Sequence, residues 1–244
     1  MEKIKVVILA AGKGSRMKSE LPKAFMEVKG KPMLVYLHDS SVNAMATLPL
    51  VVISSSAEDL FKSKFPNTPY IIQIEQLGTG YALALAEKAC ADAEHIVVLY
   101  GDQPFIKSDT IKNLIAKHAG SGAKITFATT VVPNFENLYF PFLGFARILR
   151  EGGELTAIRE YKDANEEEKS IKEVNAGCYV FESKWLWENL KKIDKQNAQG
   201  EYYLTDLIPL AIENKEKVES MEIDPKEALG ANSKEELEIL EKFA

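Results

Sequence analysis

Short runs of consecutive apolar residues alternate, through the first half of this chain, with stretches whose apolar positions recur at helical spacing. Ile4–Leu9, Leu50–Ser54, Tyr70–Ile74, Ile96–Tyr100 and Lys124–Val131 are the apolar runs. Unbroken apolarity is what strands buried on both faces require. Between them, Met33–Ala44, Ala57–Lys64, Thr79–Cys90 and Ser108–His118 read as helices. Ser56 is placed to cap the second. The third offers Ala82, Leu83, Leu85, Ala86 and Ala89 for burial. This alternation predicts a doubly wound, mixed but mainly parallel α/β sheet covered by helices on both faces.

The rhythm changes after Val131. Pro133–Leu143, rich in proline and aromatic residues, reads as an ordered loop. Ala146–Arg150 and Leu155–Tyr161 flank Glu151-Gly152-Gly153-Glu154, a hairpin signal. Asp163–Lys172 is a charged surface stretch with a short helix. Val174–Phe181 returns as a strand, followed by helices near Lys184–Leu190 and Leu204–Glu213 and a late strand at Val218–Ile223. Ser233-Lys234-Glu235-Glu236 fits a capping box opening the last helix. With no repeat, low-complexity tract or flexible linker in view, the chain reads as a single domain with a β-rich second half.

Composition narrows the partners. Of the 244 residues, 46% are hydrophobic and 27% charged, with a net charge of −6. An acidic balance points away from nucleic acid and anionic membrane. No apolar stretch reaches the ~20 residues that span a bilayer, and no signal-peptide pattern opens the chain, so a cytoplasmic protein is expected. Cys90 and Cys178 fall in helical and strand patterns and read as buried free thiols. His38, His95 and His118 are scattered and give no zinc spacing.

The chemistry concentrates after the first strand, in Leu9-Ala10-Ala11-Gly12-Lys13-Gly14-Ser15-Arg16-Met17 followed by Leu21-Pro22-Lys23. Glycines let backbone N–H groups point inward as an anion-binding nest, and Arg16 and Lys23 add charge of the sign phosphates need. A Walker loop is excluded, because no Gly-Lys-Ser/Thr occurs. A dinucleotide fingerprint fails at Met17, where the third glycine belongs, and at Ser54-Ser55-Ser56, where an acid would hold a ribose.

Ligands of doubly wound sheets sit beyond the carboxyl ends of the strands, so the polar residues there are the candidates. Asp102 follows Ile96–Gly101; it suits a turn, and within a chain that carries the phosphate loop it also suits Mg²⁺. In Gln73-Ile74-Glu75-Gln76-Leu77-Gly78-Thr79, the Gln73 amide matches the donor–acceptor edge of a uracil, Gly78 allows close approach, and Thr79 is placed to cap a helix.

The phosphate loop, with Gly30-Lys31-Pro32-Met33 behind it, resembles the signature of the sugar-1-phosphate nucleotidylyltransferases. Gln-Leu-Gly-Thr-Gly (76–80), Leu-Tyr-Gly-Asp (99–102), Glu-Tyr-Lys-Asp-Ala (160–164), Glu-Val-Asn-Ala-Gly (173–177), Asn-Ala-Gln-Gly-Glu-Tyr-Tyr-Leu-Thr-Asp (197–206) and Gly-Ala-Asn (230–232) bring it closest to the uridylyltransferase domain of the bacterial bifunctional enzymes that make UDP-N-acetylglucosamine. The resemblance covers residues 4 to about 233 and implies a nucleotide-diphospho-sugar transferase fold, with residues 1–131 as a nucleotide-binding half, 132–232 as a sugar-binding half and 233–244 as a C-terminal helix. It implies that Leu9, Ala10, Ala11, Gly12 and Gly14, with Arg16 and Lys23, bind a triphosphate. Gln73, Gln76, Gly78 and Thr79 would recognise uracil. Asp102 and Asn232 would hold Mg²⁺, and Ala146, Glu160, Asn175 and Thr205 would line the sugar pocket. On this resemblance Lys23, Arg16 and Asp102 would carry the catalytic charge.

The expected reaction is transfer of UMP from UTP to N-acetylglucosamine-1-phosphate, by a monomer or weak homo-oligomer. Three departures fall on the sugar side: Gly144-Phe145-Ala146-Arg147 for Gly-Tyr-Gly-Arg, Asn175-Ala176-Gly177 for Asn-Thr-Gly, and the longer, more aromatic Pro133–Leu143. They keep open glucose-1-phosphate, another hexosamine phosphate, or phosphocholine with CTP, and beyond those a non-catalytic nucleotide-sugar sensor. The hexapeptide repeat that carries acetyl transfer in the bifunctional enzymes does not occur, so acetyl transfer is not expected.

Overall fold

The computed structural model describes residues 3–12, 14, 17, 19 and 21–244. Strand β1 (Ile4–Ala10) lies at the centre of a nine-stranded sheet. It is flanked on one side by β4 (Leu50–Ser54) and then β5 (Tyr70–Gln73), and on the other by β6 (His95–Tyr100), all parallel. Beyond β6 come β10 (Glu173–Glu182), β7 (Ile125–Val131) and β11 (Val218–Glu222). β10 runs antiparallel to both its neighbours, while β11 pairs parallel with β7. The hairpin β8 (Arg147–Glu151) and β9 (Glu154–Arg159) joins the sheet through a pairing of Arg147 with Val174 on β10. A separate ribbon, β2 (Glu27–Val28) with β3 (Lys31–Pro32), follows the phosphate loop.

The continuous apolar runs are explained by a core on each face. Alternate residues of β1 divide between them: Val6 and Ile8 pack with Met33, Leu34 and Leu37 of α1 (Met33–Met45) and Ile111 and Leu114 of α4 (Ser108–Ser121). Val7 and Leu9 pack on the other face with Ala82 and Leu83 of α3 (Thr79–Ala84), Trp185 and Leu186 of α6 (Ser183–Leu190) and Leu207 and Ile208 of α7 (Leu207–Glu213). Each such side chain withdrawn from water contributes about 1.5–3 kcal/mol, which holds the central strand rigid beneath the site. The remaining helices are α2 (Glu58–Lys64), α5 (Glu166–Lys169), α8 (Pro225–Ala228) and α9 (Lys234–Phe243).

Several local expectations are corrected. The single helix over Thr79–Cys90 ends at Ala84, and a turn and a short 3-10 segment (Lys88–Cys90) complete it. That bend lets Ala82, Leu83, Ala86 and Cys90 all reach the core. Ser56 does not cap α2; its hydroxyl meets that of Ser54 at 3.0 Å, and Ala57 occupies the cap position. The aromatic loop is a 3-10 helix over Asn137–Gly144. Cys90 and Cys178 are free and buried, and burial pushes their thiols up to about 11 and about 12. Though distant in sequence, His95 and His118 meet at the far end of the sheet, with ring nitrogens 3.2 Å apart. No helix among the described residues is long and apolar enough to cross a membrane.

Candidate active site

The carboxyl ends of β1, β5 and β6 open onto one cleft. β1 stops at Ala10, and Gly101 following β6 donates its N–H to the Leu9 carbonyl at 2.9 Å. The loop after β1 closes on Lys23. A Cβ on Gly14 would stand 2.9 Å from the Lys23 Cβ, and Gly14 has φ +58°. A side chain there would displace the lysine stem and strain the backbone. Pro22 leads into a 3-10 turn, Lys23–Phe25, whose Ala24 and Phe25 are buried. The Lys23 stem is thus anchored from both sides.

Its ammonium donates to the Asp102 carboxylate, and to Asn232 Oδ1 at 2.5 Å. Asp102 is fixed by the turn in which Gln103 N bonds to the Tyr100 carbonyl at 3.0 Å. Asn232 is fixed from behind: its backbone N–H and its Nδ2 both donate to Glu236 Oε2, at 2.6 and 3.2 Å. This corrects the expected capping box. Ser233 caps α9 by accepting from Glu236 N at 3.2 Å, but the Glu236 carboxylate turns to Asn232 instead of to Ser233. The signal for its role was present in the sequence as a Glu at the third helical position, assigned to the wrong neighbour.

Two chambers meet at this cluster. The larger, about 530 Å³, is lined by Leu9, Ala10, Ala11, Gly12, Gly14, Lys23, Gln73, Gln76, Gly78 and Thr79, with Asp102, Tyr100, Glu201 and Asn232 on its far wall. The smaller, about 200 Å³, is lined by Ala146, Glu160 and Asn175 together with Phe145, Gly177 and Tyr203, and shares Thr79, Tyr100, Asp102, Glu201 and Asn232 with the first. Arg16 lies outside the described residues. Thr205 stands behind the smaller chamber and reaches it through Glu160, donating its hydroxyl to Oε1 at 2.7 Å. Burial raises the Glu160 carboxyl above its ordinary value, and the Thr205 bond opposes that rise.

The wall between the chambers is stitched by backbone. Gly80 N donates to Tyr202 O at 2.9 Å, Tyr202 N to Leu77 O at 2.8 Å, and Leu204 N to Thr79 Oγ1 at 3.0 Å. The Thr79 hydroxyl therefore serves Leu204, and Gly78, not Thr79, occupies the helix cap. A Cβ on Gly78 would lie 2.4 Å from Tyr202 O, so only glycine admits this approach. The Gln73 amide lines the larger chamber with one N–H already given to the Glu75 carbonyl at 2.9 Å. Tyr100, Glu201 and Tyr203 were not singled out by sequence reasoning, although the latter two sit inside its most specific motif.

Asp102 and Asn232 present a carboxylate and an amide oxygen to one cation, here the Lys23 ammonium. Hard oxygens of this kind suit a small divalent ion, whose other ligands are phosphate oxygens and water. Among the described residues no group of three or more His, Cys, Asp or Glu side chains could hold a metal. A divalent ion here would thus rely on substrate oxygens.

A mixed, mainly parallel sheet whose strand ends present a glycine loop, a fixed lysine and a carboxylate to one cleft defines a nucleotidyltransferase, and the chain belongs to the MobA-like NTP transferase domain family, whose profile matches residues 6–172. Curated relatives are bifunctional GlmU proteins. That of Streptococcus uberis is 42% identical over 231 residues, covering 93% of this chain and 49% of the relative. That of Desulfitobacterium hafniense is 40% identical over 239 residues, covering 98% and 51%. The chain spans about half the length of these relatives. A crystal structure from Bacillus anthracis, described as a glucose-1-phosphate thymidylyltransferase in complex with sucrose, shares the fold, with a TM-score of 0.77 at 18% identity over 99% of this chain and 95% of that one.

Proposed function

We propose that the chain transfers UMP from UTP to N-acetylglucosamine-1-phosphate in a Mg²⁺-dependent reaction, releasing pyrophosphate. The observation that carries this reading is the placement of Lys23 in the larger chamber, held by Asp102 and Asn232, which line both chambers. A charged group held there faces a nucleotide in the larger chamber and lies against the two residues that a phosphate arriving from the smaller one would meet. The family membership and the GlmU relatives support sugar-phosphate nucleotidyl transfer as the class.

The chemistry needs little proton transfer. A phosphate monoester, with a second pKa of ~6, is largely dianionic at neutral pH and is already a nucleophile. The barrier lies in bringing two anions together and in the charge that builds on the leaving pyrophosphate, so positioning and electrostatics are the levers. Lys23 screens the repulsion between the α-phosphate and the attacking oxygen. The loop amides from Ala10 to Gly14, joined by Arg16, stabilise the departing pyrophosphate. Asp102 and Asn232 would hold Mg²⁺, which would supply charge to neutralise the phosphates. Gln73, Gln76, Gly78 and Thr79 read the base, while Ala146, Glu160, Asn175 and Thr205 hold the sugar. On this reading residues 1–131 and 132–232 are the two halves of one unit.

A second acceptor is favoured by one observation. Ala146, 4% exposed, and the aromatic Phe145 form the wall of the smaller chamber. The Ala146 methyl group takes up space where a sugar approaches, which favours an acceptor without an N-acyl group, such as glucose-1-phosphate. Pyrophosphate release by the purified chain with Mg²⁺ and UTP, across N-acetylglucosamine-1-phosphate, glucose-1-phosphate, other hexosamine phosphates and phosphocholine with CTP, separates these. Turnover with the first alone supports the proposal. Turnover with another acceptor moves the substrate, and no release with any of them points to a nucleotide-sugar sensor.

A further inference from the structure

A residue on the wall of the smaller chamber carries a polar atom that finds no hydrogen-bond partner among the described residues. Gln103, directly after Asp102, is 4% exposed, and its Oε1 is buried without a hydrogen-bond partner. The identity of that atom is fixed. The other end of the amide faces the Ala228 carbonyl at 3.1 Å, which can only accept, so that end is Nε2 and the unpartnered end is the oxygen. The backbone holds the residue in place, through Gln103 N on Tyr100 O at 3.0 Å and Ala231 N on Asp102 O at 3.3 Å.

Its surroundings bury it and leave it unpaired. Gly177, at the irregularity where β10 departs from regular pairing with β7, has φ +74°. A Cβ there would stand 2.5 Å from Gln103 Oε1. Glycine at this position thus leaves the amide oxygen room at the chamber wall, where Gln103 and Gly177 both lie. Buried polar side chains in native proteins nearly always find partners, and an exception asks for a reason. Here the residue lines a chamber that also holds Tyr203, whose buried hydroxyl likewise has no partner among the described residues, while other polar groups of the chamber are committed. The Asn175 Oδ1 accepts from Gly177 N at 3.2 Å, its Nδ2 donates to Tyr179 Oη at 2.5 Å, and Glu160 Oε1 is taken by Thr205.

We propose that Gln103 Oε1 is a specificity contact for the acceptor, accepting a hydrogen bond from a hydroxyl or amide N–H of the bound sugar. The proposal rests on the reading of the smaller chamber as the acceptor site. A site built to pair a donor rejects analogues that lack it, because the buried oxygen is again left alone. The residue lies beside Asp102 but does not touch the reacting phosphates, so its effect falls on acceptor binding.

The test crosses two variants with a set of acceptors. Gln103→Met keeps length and volume without the oxygen; Gln103→Asn keeps the amide but draws it back. Each is assayed for kcat and for both KM values, with the best acceptor and with analogues in which one sugar donor at a time is replaced by hydrogen. Thermal melts report folding. The expected result is a rise of about tenfold or more in acceptor KM with UTP KM unchanged. In addition, one deoxy analogue should be poor with the wild type yet lose nothing further in the variants. Loss spread equally over UTP and acceptor, or a penalty that simply adds to that of every analogue, would overturn the assignment while leaving the acceptor reading intact. A folded Gln103→Asn with wild-type acceptor KM would also overturn it. Absence of turnover by the wild type with any sugar phosphate would instead remove the acceptor reading, and this assignment with it.

Discussion

Glu236 holds Asn232 by two hydrogen bonds, one from the backbone and one from the side-chain amide, and so aims Asn232 Oδ1 at Lys23. A carboxylate that accepts both N–H groups fixes which end of the amide faces the cleft. Glu236→Ala should therefore lower kcat by roughly 10- to 100-fold, the range typical of groups that orient a ligand-bearing side chain. UTP affinity should stay close to normal, since the larger chamber is otherwise intact. The Ser233 cap persists in this variant, so a melt should show a modest change. Unchanged kcat at saturating Mg²⁺ would show that Asn232 needs no such support.

Lys23 and Asp102 should behave differently from the residues that merely bind nucleotide. Lys23→Ala and Asp102→Ala each remove charge where it develops in the transition state, for which losses of ~10²–10³ in kcat are expected. UTP binding, measured by calorimetry, should weaken far less. Near-normal turnover by Asp102→Ala would make the metal assignment wrong.

What the sequence made legible follows from how local each signal is. The apolar runs mark buried strands because burial on both faces leaves no alternation, and the strand ends then point to Asp102 and Gln73 without tertiary knowledge. The reversal of β10 was not legible. A strand buried on both faces carries the same apolar signature in either direction, and Val174–Phe181 gives no hint that it runs against β6 and β7. Thr79 and Glu236 were misassigned for a related reason. A hydroxyl or carboxylate near a helix start suits a cap by local rules, and only the fold brings Leu204 N and Asn232 within reach as competing donors. Gln103 carries no local signal at all, because its meaning depends on Gly177, far along the chain.

Glu160 gives the acceptor site a pH dependence. Burial holds its carboxyl above the ordinary range, and the Thr205 hydroxyl, which stabilises the charged form, works against that. The carboxylate is the form that accepts sugar hydroxyls. Acceptor KM should thus rise as pH falls, beginning above the pH at which an exposed glutamate titrates. Thr205→Val removes the opposing bond and should move this rise toward neutral pH. An acid limb that stays in place in Thr205→Val would separate the limb from Glu160.

His118 couples stability to pH. Its ring is 2% exposed, bonded to Thr126 Oγ1 at 2.9 Å and facing His95. Burial, chiefly, and the neighbouring His95 lower its pKa from 6.5 to about 4, with Lys124 acting in the same direction and Glu182 against it. The folded pKa is depressed, so the unfolded chain takes up the proton first as pH falls. Stability is complete above 6.5 and is lost between there and about 4, by up to about 3 kcal/mol. Melting temperature should fall steadily over this window. His118→Gln, which keeps a hydrogen bond to Thr126 within reach, should flatten that fall. An equal slope in the variant would assign the acid sensitivity to other groups.

Arg147 is a cation buried to 0% exposure whose partners are carbonyls and ring faces. Its guanidinium donates to Phe145 O, to Leu143 O at 2.9 Å and to Lys169 O at 3.2 Å. It stands 4.3 Å from the Phe135 ring centroid and 5.1 Å from that of Tyr161. Burial lowers its pKa, yet a guanidinium stays charged. The fork thereby ties the 3-10 turn Asn137–Gly144, and with it Phe145 and Ala146, to the sheet. Lysine cannot replace it, because one ammonium cannot span carbonyls spread in a plane. Methionine fills the space but leaves those carbonyls unpaired. Both Arg147→Lys and Arg147→Met should cost about 3 kcal/mol, a fall in melting temperature of roughly 10 °C for a domain of this size. At temperatures where the variants remain folded, acceptor KM should rise while UTP KM holds, since the wall released lines the smaller chamber and not the larger one. A fall in melting temperature with both KM values unchanged would make Arg147 a support for the fold with no bearing on the acceptor.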